Sequence, residues 1–153
     1  MSKIDLDHFE KIFMYKCITD EEYFTTIVDV TNVDYLKYSE NKLIFNIIKD
    51  FFSKRSALPT LTELKTYITT KDEISAFKFI LNIVQNLDKT FNKDELIENT
   101  ERFLKERAVY NTILEVADSI HTGEFDTSLI LDKFEKNCNI SLISDSGIEV
   151  YSN

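Results

Sequence analysis

A chain with one proline, Pro59, and two glycines, Gly123 and Gly147, among 153 residues has almost nowhere to turn sharply. Tight turns and bulges draw on glycine's access to positive φ and on proline's fixed φ. A many-stranded sandwich or barrel needs such a turn about every 8–12 residues. Two glycines also cannot build a P-loop or a dinucleotide-binding fingerprint. What remains is a fold of helices separated by polar caps, and the sequence supplies those caps. The expected fold class is all-α. Hydrophobic residues are 43% of the chain, enough for one domain with a real core.

Apolar residues recur at three- and four-residue steps, which places them on helix faces. A first helix is expected from Asp5 to about Thr19, with Phe9, Phe13 and Cys17 on its apolar side. Thr19 and Glu22 then have the spacing of a capping box for a second helix, roughly Asp20 to Val30. Ser39 is the expected cap of a third helix, about Glu40 to Lys54, and Pro59 ends what precedes it. Thr60 and Glu63 make another capping box, for a short helix with Leu61, Leu64, Tyr67 and Ile68 facing in. A fifth helix, Asp72 to Leu87, carries Ile74, Phe77, Ile80, Leu81 and Val84. These five form a compact helical head over residues 1–91.

Asn92 opens a much longer helix, with Glu95 at the capping-box position and Asp94, Glu95 and Glu98 at the end where the helix dipole favours them. It runs to about His121, where Gly123 is the expected left-handed terminator. At 1.5 Å per residue that is about 45 Å. Asp126 caps a last helix to about Asn137, with Leu129, Ile130, Leu131 and Phe134 apolar. The short "HTGEFD" turn sends it back antiparallel, so residues 92–140 are expected to form a long helical hairpin within the same domain. Residues 141–153, "SLISDSGIEVYSN", have no helical period and read as a linker toward a further domain.

The long helix changes face along its length. On a wheel at about 100° per residue, Leu96, Ile97, Phe103 and Leu104 occupy one arc, and Val109, Ile113, Val116 and Ile120 another, roughly a third of a turn away. Tyr110, Leu114 and Ala117 lie beside the second arc. Arg102 and Glu106, an i, i+4 pair, sit on the side that later turns apolar, and with Arg107 they mark the changeover. The first half is expected to pack on the head. For the second half two readings stand: the last helix and the head cover the whole arc, or Val109, Ile113, Val116 and Ile120 pair with another subunit.

Chemistry-bearing patterns are sparse. The net charge is −9, and the densest basic cluster is Lys49, Lys54 and Arg55, beside Asp50, so strong direct nucleic-acid binding is not expected. His8 and His121 have no second His or Cys at ligand spacing, and no nucleophile elbow or calcium loop occurs. No catalytic, cofactor-binding or metal-ligating residue is expected. Cys17 and Cys138 have no CxxC partner, and the charged start "MSKIDLDHFEK" is no signal peptide, so both are expected as reduced thiols of an intracellular protein. No stretch approaches the eighteen or so apolar residues of a membrane span.

Three segments carry a likeness: "KLIFNIIKDFFSKRSALPT", then "FLKERAVYNTILEVADSI" with its acidic turn, then "LDKFEKN". Together with the opening "HFEKIFMYKCITDEEYF", they resemble the N-terminal domain of DnaB-type hexameric replicative helicases, most like that of T4-type phages. The likeness covers the chain to about Ile143 and rests mostly on apolar spacings. It departs from the pattern at Asn111, where many relatives carry a basic residue. The resemblance implies a collar that assembles through the hairpins as dimers and then a trimer of dimers. It implies docking of primase and helicase loader in a primosome during DNA replication, in the cytoplasm of a bacterial host. ATP and Mg would belong to a motor domain downstream, so this chain alone would be no enzyme. The alternative of a different class is a stand-alone acidic helical adaptor that binds a basic partner through its negative surface.

Overall fold

The computed structural model describes residues 5–88, 91–124 and 126–142, and among these the protein is all-α. Five helices come first: α1 (Leu6–Thr19), α2 (Glu21–Ile27), α3 (Ser39–Arg55), α4 (Leu61–Thr66) and α5 (Lys71–Asn86). Two 3-10 turns, Val28–Val30 and Val33–Tyr35, carry the chain from α2 to α3. The long helix α6 (Lys93–His121) and the last helix α7 (Thr127–Cys138) follow. Most of the expected linker, residues 143–153 with Gly147, lies outside the described residues.

The caps explain where the helices start. Asp5, Asp20, Thr60, Thr70, Asn92 and Asp126 each accept a backbone N–H in the first turn of the helix that follows. The cap of α2 is Asp20 rather than the expected Thr19. Thr19 is still the last residue of α1, and its hydroxyl donates back to the Tyr15 carbonyl at 2.8 Å. Thr60–Glu63 forms the expected reciprocal box, and Thr70–Glu73 forms a second at the start of α5. At the far end of α6, Gly123 has φ +83, the left-handed conformation that stops the helix.

The core is one continuous cluster, with Phe13 of α1 fully buried at its centre. Its ring lies 5.3 Å from Phe103 of α6, 6.1 Å from Tyr23 of α2 and 6.3 Å from Phe45 of α3, centroid to centroid. Aromatic pairs at such spacings add about 0.5–1.5 kcal/mol each beyond their area. The Tyr23 hydroxyl and Thr100 Oγ1, both buried, meet at 2.7 Å, so the polar end of the ring is satisfied. The first half of α6 is therefore part of the head's core: Leu96, Ile97, Phe103 and Leu104 are all buried, as the wheel predicts.

Two faces differ from expectation. In α4 only Leu64 is buried, while Leu61 and Tyr67 are exposed, because a helix of six residues has room for one inward position. In α5 the inward track is Ala76, Ile80 and Ile83, and Ile74 is exposed. Ala76 has no exposed surface, so the inward track includes a residue as small as a methyl group. After α7 the chain returns to the core: Ile140 and Leu142 are buried, and the Leu142 N–H donates to Glu101 Oε1 of α6 at 2.8 Å. Leu142, expected in the linker, is a core residue.

Candidate functional site

The changeover on α6 is built around Arg107 and Glu10. Glu10 of α1 has no exposed surface. Its carboxylate accepts from the backbone N–H of Lys37 at 2.7 Å and of Tyr38 at 3.2 Å, and from Asn41 Nδ2 at 2.8 Å. These donors stand at the N-terminus of α3, whose N-cap Tyr38 offers no side-chain acceptor. Ser39, the expected cap, is the first helical residue instead, and its hydroxyl donates to Glu40. A carboxylate from another helix has taken the capping role, at the end where the helix dipole favours a negative charge.

Arg107 closes this arrangement from the α6 side. Its Nη2 lies 3.7 Å from Glu10 Oε1 and 3.5 Å from Asp7 Oδ1, and its guanidinium sits 5.6 Å from the Phe103 ring centroid. Asp7 in turn accepts from Lys37 Nζ at 2.9 Å. The Lys37 hydrogen bond is the first cause holding the Asp7 carboxyl below its usual range, with Arg107 adding to it; the same bond raises Lys37. Arg107 is thus a structural tether that fixes α6 to α1 and to the start of α3. Its Nε and the Asn41 Oδ1 are buried without a hydrogen-bond partner among the described residues.

Beyond Arg107 the helix leaves its core. The last fully buried residues of α6 are Ala108 and Thr112. From there α7 runs antiparallel alongside: Asn137 Nδ2 reaches Thr112 Oγ1 at 3.4 Å, and Lys133 Nζ lies 3.8 Å from Glu115 Oε2. No residue of α7 is fully buried, and Leu129 and Leu131 are 61% and 65% exposed. The helix covers only one flank of α6.

The four residues expected at a subunit interface are therefore placed unequally. Val109 is 38% exposed, Ile113 50% and Ile120 51%, whereas Val116 is half-buried. Tyr110 at 58% and Leu114 at 52% are as open as any of them. The open face is centred further round the helix than the apolar wheel alone puts it, because Thr112, polar by type, takes the inward position. This face forms one wall of a groove of about 960 Å³; the opposite wall is Leu6 and Asp7 of α1 with Tyr35, Leu36 and Lys37 ahead of α3. The groove is apolar along Val109, Tyr110, Ile113 and Leu114, and charged at the Arg107 end.

Among the described residues no group of three His, Cys, Asp or Glu could hold a metal ion, and no helix is long and apolar enough to cross a membrane. Cys17 and Cys138 are both free thiols; burial pushes Cys17 well up, which keeps it protonated and unreactive. What the arrangement offers is a firmly tethered helix that presents an apolar surface. Compared with known proteins, the chain matches no family model and no curated sequence.

Proposed function

We propose that this chain is the N-terminal collar domain of a DnaB-type replicative helicase, which assembles subunits through the α6–α7 pair and docks primase and helicase loader. The observation that carries this reading is the open face of α6, Val109, Tyr110, Ile113, Leu114 and Ile120, left exposed after α7 has docked. Contiguous apolar surface of this kind marks an interaction site. The segment that carries the motif likeness, "FLKERAVYNTILEVADSI", includes these residues. In this reading self-association runs through Val109, Ile113, Val116 and Ile120, giving dimers and then a trimer of dimers. No nucleotide, metal or cofactor is handled by this chain.

The test is solution mass by light scattering for the wild type and for Ile113→Asp with Val116→Asp. The expected result is a concentration-dependent dimer that the double variant abolishes with its helical circular dichroism intact. A monomer at every concentration, unchanged by the substitutions, removes the interface. In the reading frame downstream, a P-loop within about a hundred residues is expected. The acidic-adaptor reading is favoured only by the net charge of −9, and it predicts salt-sensitive binding to a basic protein instead of self-association.

A further inference from the structure

A second groove lies on the head, along the C-terminal half of α3, and shares no residue with the groove beside α6. Two rows of α3 side chains line it, each at four-residue steps. One row is Ile47, Phe51 and Arg55; the other is Asn46, Asp50 and Lys54. Tyr67, just after α4, closes it, and the space within is about 420 Å³. Phe51 is buried and Ile47 half-buried, so the bottom is apolar, while Lys54 and Arg55 stand at one end.

The backbone holds this shape. The C-cap of α3 is Ser56, at φ 54 and ψ 28, a left-handed conformation that a residue with a Cβ resists. Its N–H donates to the Phe52 carbonyl at 2.8 Å. Lys54 and Arg55 are thereby the last two residues of the helix, and the chain turns back through Pro59 into α4. Tyr67 then meets Phe51 edge to face, with 5.6 Å between centroids and 88° between planes. Tyr67 and Leu61, expected to face inward, are both exposed on this side of the head's sequence.

The charge here opposes that of the chain. From residue 49 to residue 71 there are five cations, Lys49, Lys54, Arg55, Lys65 and Lys71, against Asp50 and Glu63, in a chain of net charge −9. Lys54 and Arg55 complement the dipole at the end of α3, but that role needs neither a groove nor an exposed ring beside them. The Arg55 guanidinium lies 5.7 Å from the Phe51 ring centroid and has no ion pair among the described residues. Lys54 is 3.1 Å from Asp50 in an exposed pair, a contact of small worth that an arriving carboxylate can replace. An apolar pocket with cations at its end fits a segment that offers one large apolar side chain between acidic residues. A nucleic-acid strand fits less well, because phosphate contacts need a stripe of cations and Asp50 stands within this one.

We infer that this groove docks an acidic peptide segment of another protein. An apolar side chain of the segment lies over Phe51 and against Tyr67, and its carboxylates pair with Lys54 and Arg55. The acidic remainder of the chain steers such a segment toward this basic part, so the attachment weakens with salt. The inference is independent of self-association through α6.

The experiment records amide spectra of the isotope-labelled 153-residue chain during titration with a synthetic peptide, a Leu-Phe pair flanked on each side by Asp and Glu. Saturable shifts are expected at the amides of Ile47, Phe51, Arg55 and Tyr67. Affinity should fall several-fold when salt is raised, and again when Ser replaces the Leu-Phe pair. Lys54→Glu with Arg55→Glu should lose the acidic peptide several-fold and gain a peptide whose acids are all Lys. Both positions are exposed, and circular dichroism verifies the fold. Tyr67→Ala should weaken binding several-fold while leaving its salt dependence in place. No saturable shift at millimolar peptide, shifts centred away from the groove, or an affinity unchanged by the charge reversal overturns the inference. An oligothymidylate that shifts the same amides at lower concentration than the acidic peptide overturns it in favour of a nucleic-acid site.

Discussion

Removing the Glu10 carboxylate is the sharpest test of how α6 is held. Glu10→Ala takes the acceptor away from three donors at once: the Lys37 and Tyr38 amides and Asn41 Nδ2. It also leaves Arg107, whose side chain is only 13% exposed, with Asp7 as its ion-pair partner. A hydrogen bond to a charged group contributes about 1.5–3 kcal/mol, and orphaning one partner of a buried pair costs about 3–5 kcal/mol. These terms overlap, and Lys37 is exposed enough for water to replace part of one bond. The expected loss is therefore about 3–5 kcal/mol, set against a typical domain stability of about 5–15 kcal/mol.

The assay is equilibrium denaturation followed by circular dichroism, with the slope against denaturant compared between variants. Glu10→Gln keeps one acceptor oxygen but turns an amide donor toward the other donors, so about half the loss is expected. A second readout is local. Amide exchange should accelerate in the first turn of α3, where Glu10 performs the capping that Tyr38 cannot. If Glu10→Ala costs less than about 1 kcal/mol, or leaves exchange there unchanged, the carboxylate is not what fixes the start of α3, and the tether reasoning fails.

Leu142→Ala should destabilise by about 2–5 kcal/mol, as for any core leucine, in thermal or chemical unfolding; a linker residue would change nothing. Thr70→Ala should cost about 1 kcal/mol through the lost cap of α5. Its partner Glu73 is held below its ordinary pKa of 4.5, first by the Thr70 backbone N–H and then by that of Thr69. The folded value is the lower one, so the stability Glu73 adds is full above pH 4.5 and fades as pH falls through the folded pKa. Wild type and Glu73→Gln should therefore converge in acid in pH-dependent unfolding. In hydrogen exchange on dilute protein, amides from Ile113 to His121 should exchange faster than those from Leu96 to Thr112, and slow as concentration rises; uniform protection along α6 would contradict an interface there.

The helices were legible because their signals are local. Thr60–Glu63, Asn92, Asp126 and Gly123 act within a few residues of themselves, and each stands where the pattern puts it. The misses come from partners distant in sequence or from residues whose type conceals their role. Ser39 has the right chemistry for a cap, but the α3 terminus is served by a carboxylate some thirty residues earlier. Thr70–Glu73 is a full capping box with the same spacing as Thr60–Glu63, and it could have been read. Ala76 takes an inward position on α5 that the expected stripe did not include, while Ile74, which it did include, is exposed.

The same reasoning explains why the open face of α6 was located only approximately. The wheel counts apolar residues, but the inward track of this helix runs through Thr100 and Thr112, whose hydroxyls donate to the Leu96 and Ala108 carbonyls four residues back. A threonine that satisfies itself in this way packs as an apolar residue does. Counting both threonines as interior rotates the buried face toward Ala108 and Thr112 and leaves Tyr110, Ile113 and Leu114 at the centre of what is exposed. Val116, half-buried, and Val109 and Ile120, exposed, then lie to one side of that centre. Arg107 stands where the two faces divide, tied by its charge to α1 and by its ring contact to Phe103. The changeover is a property of packing, with the charges marking where the core ends and the open surface begins.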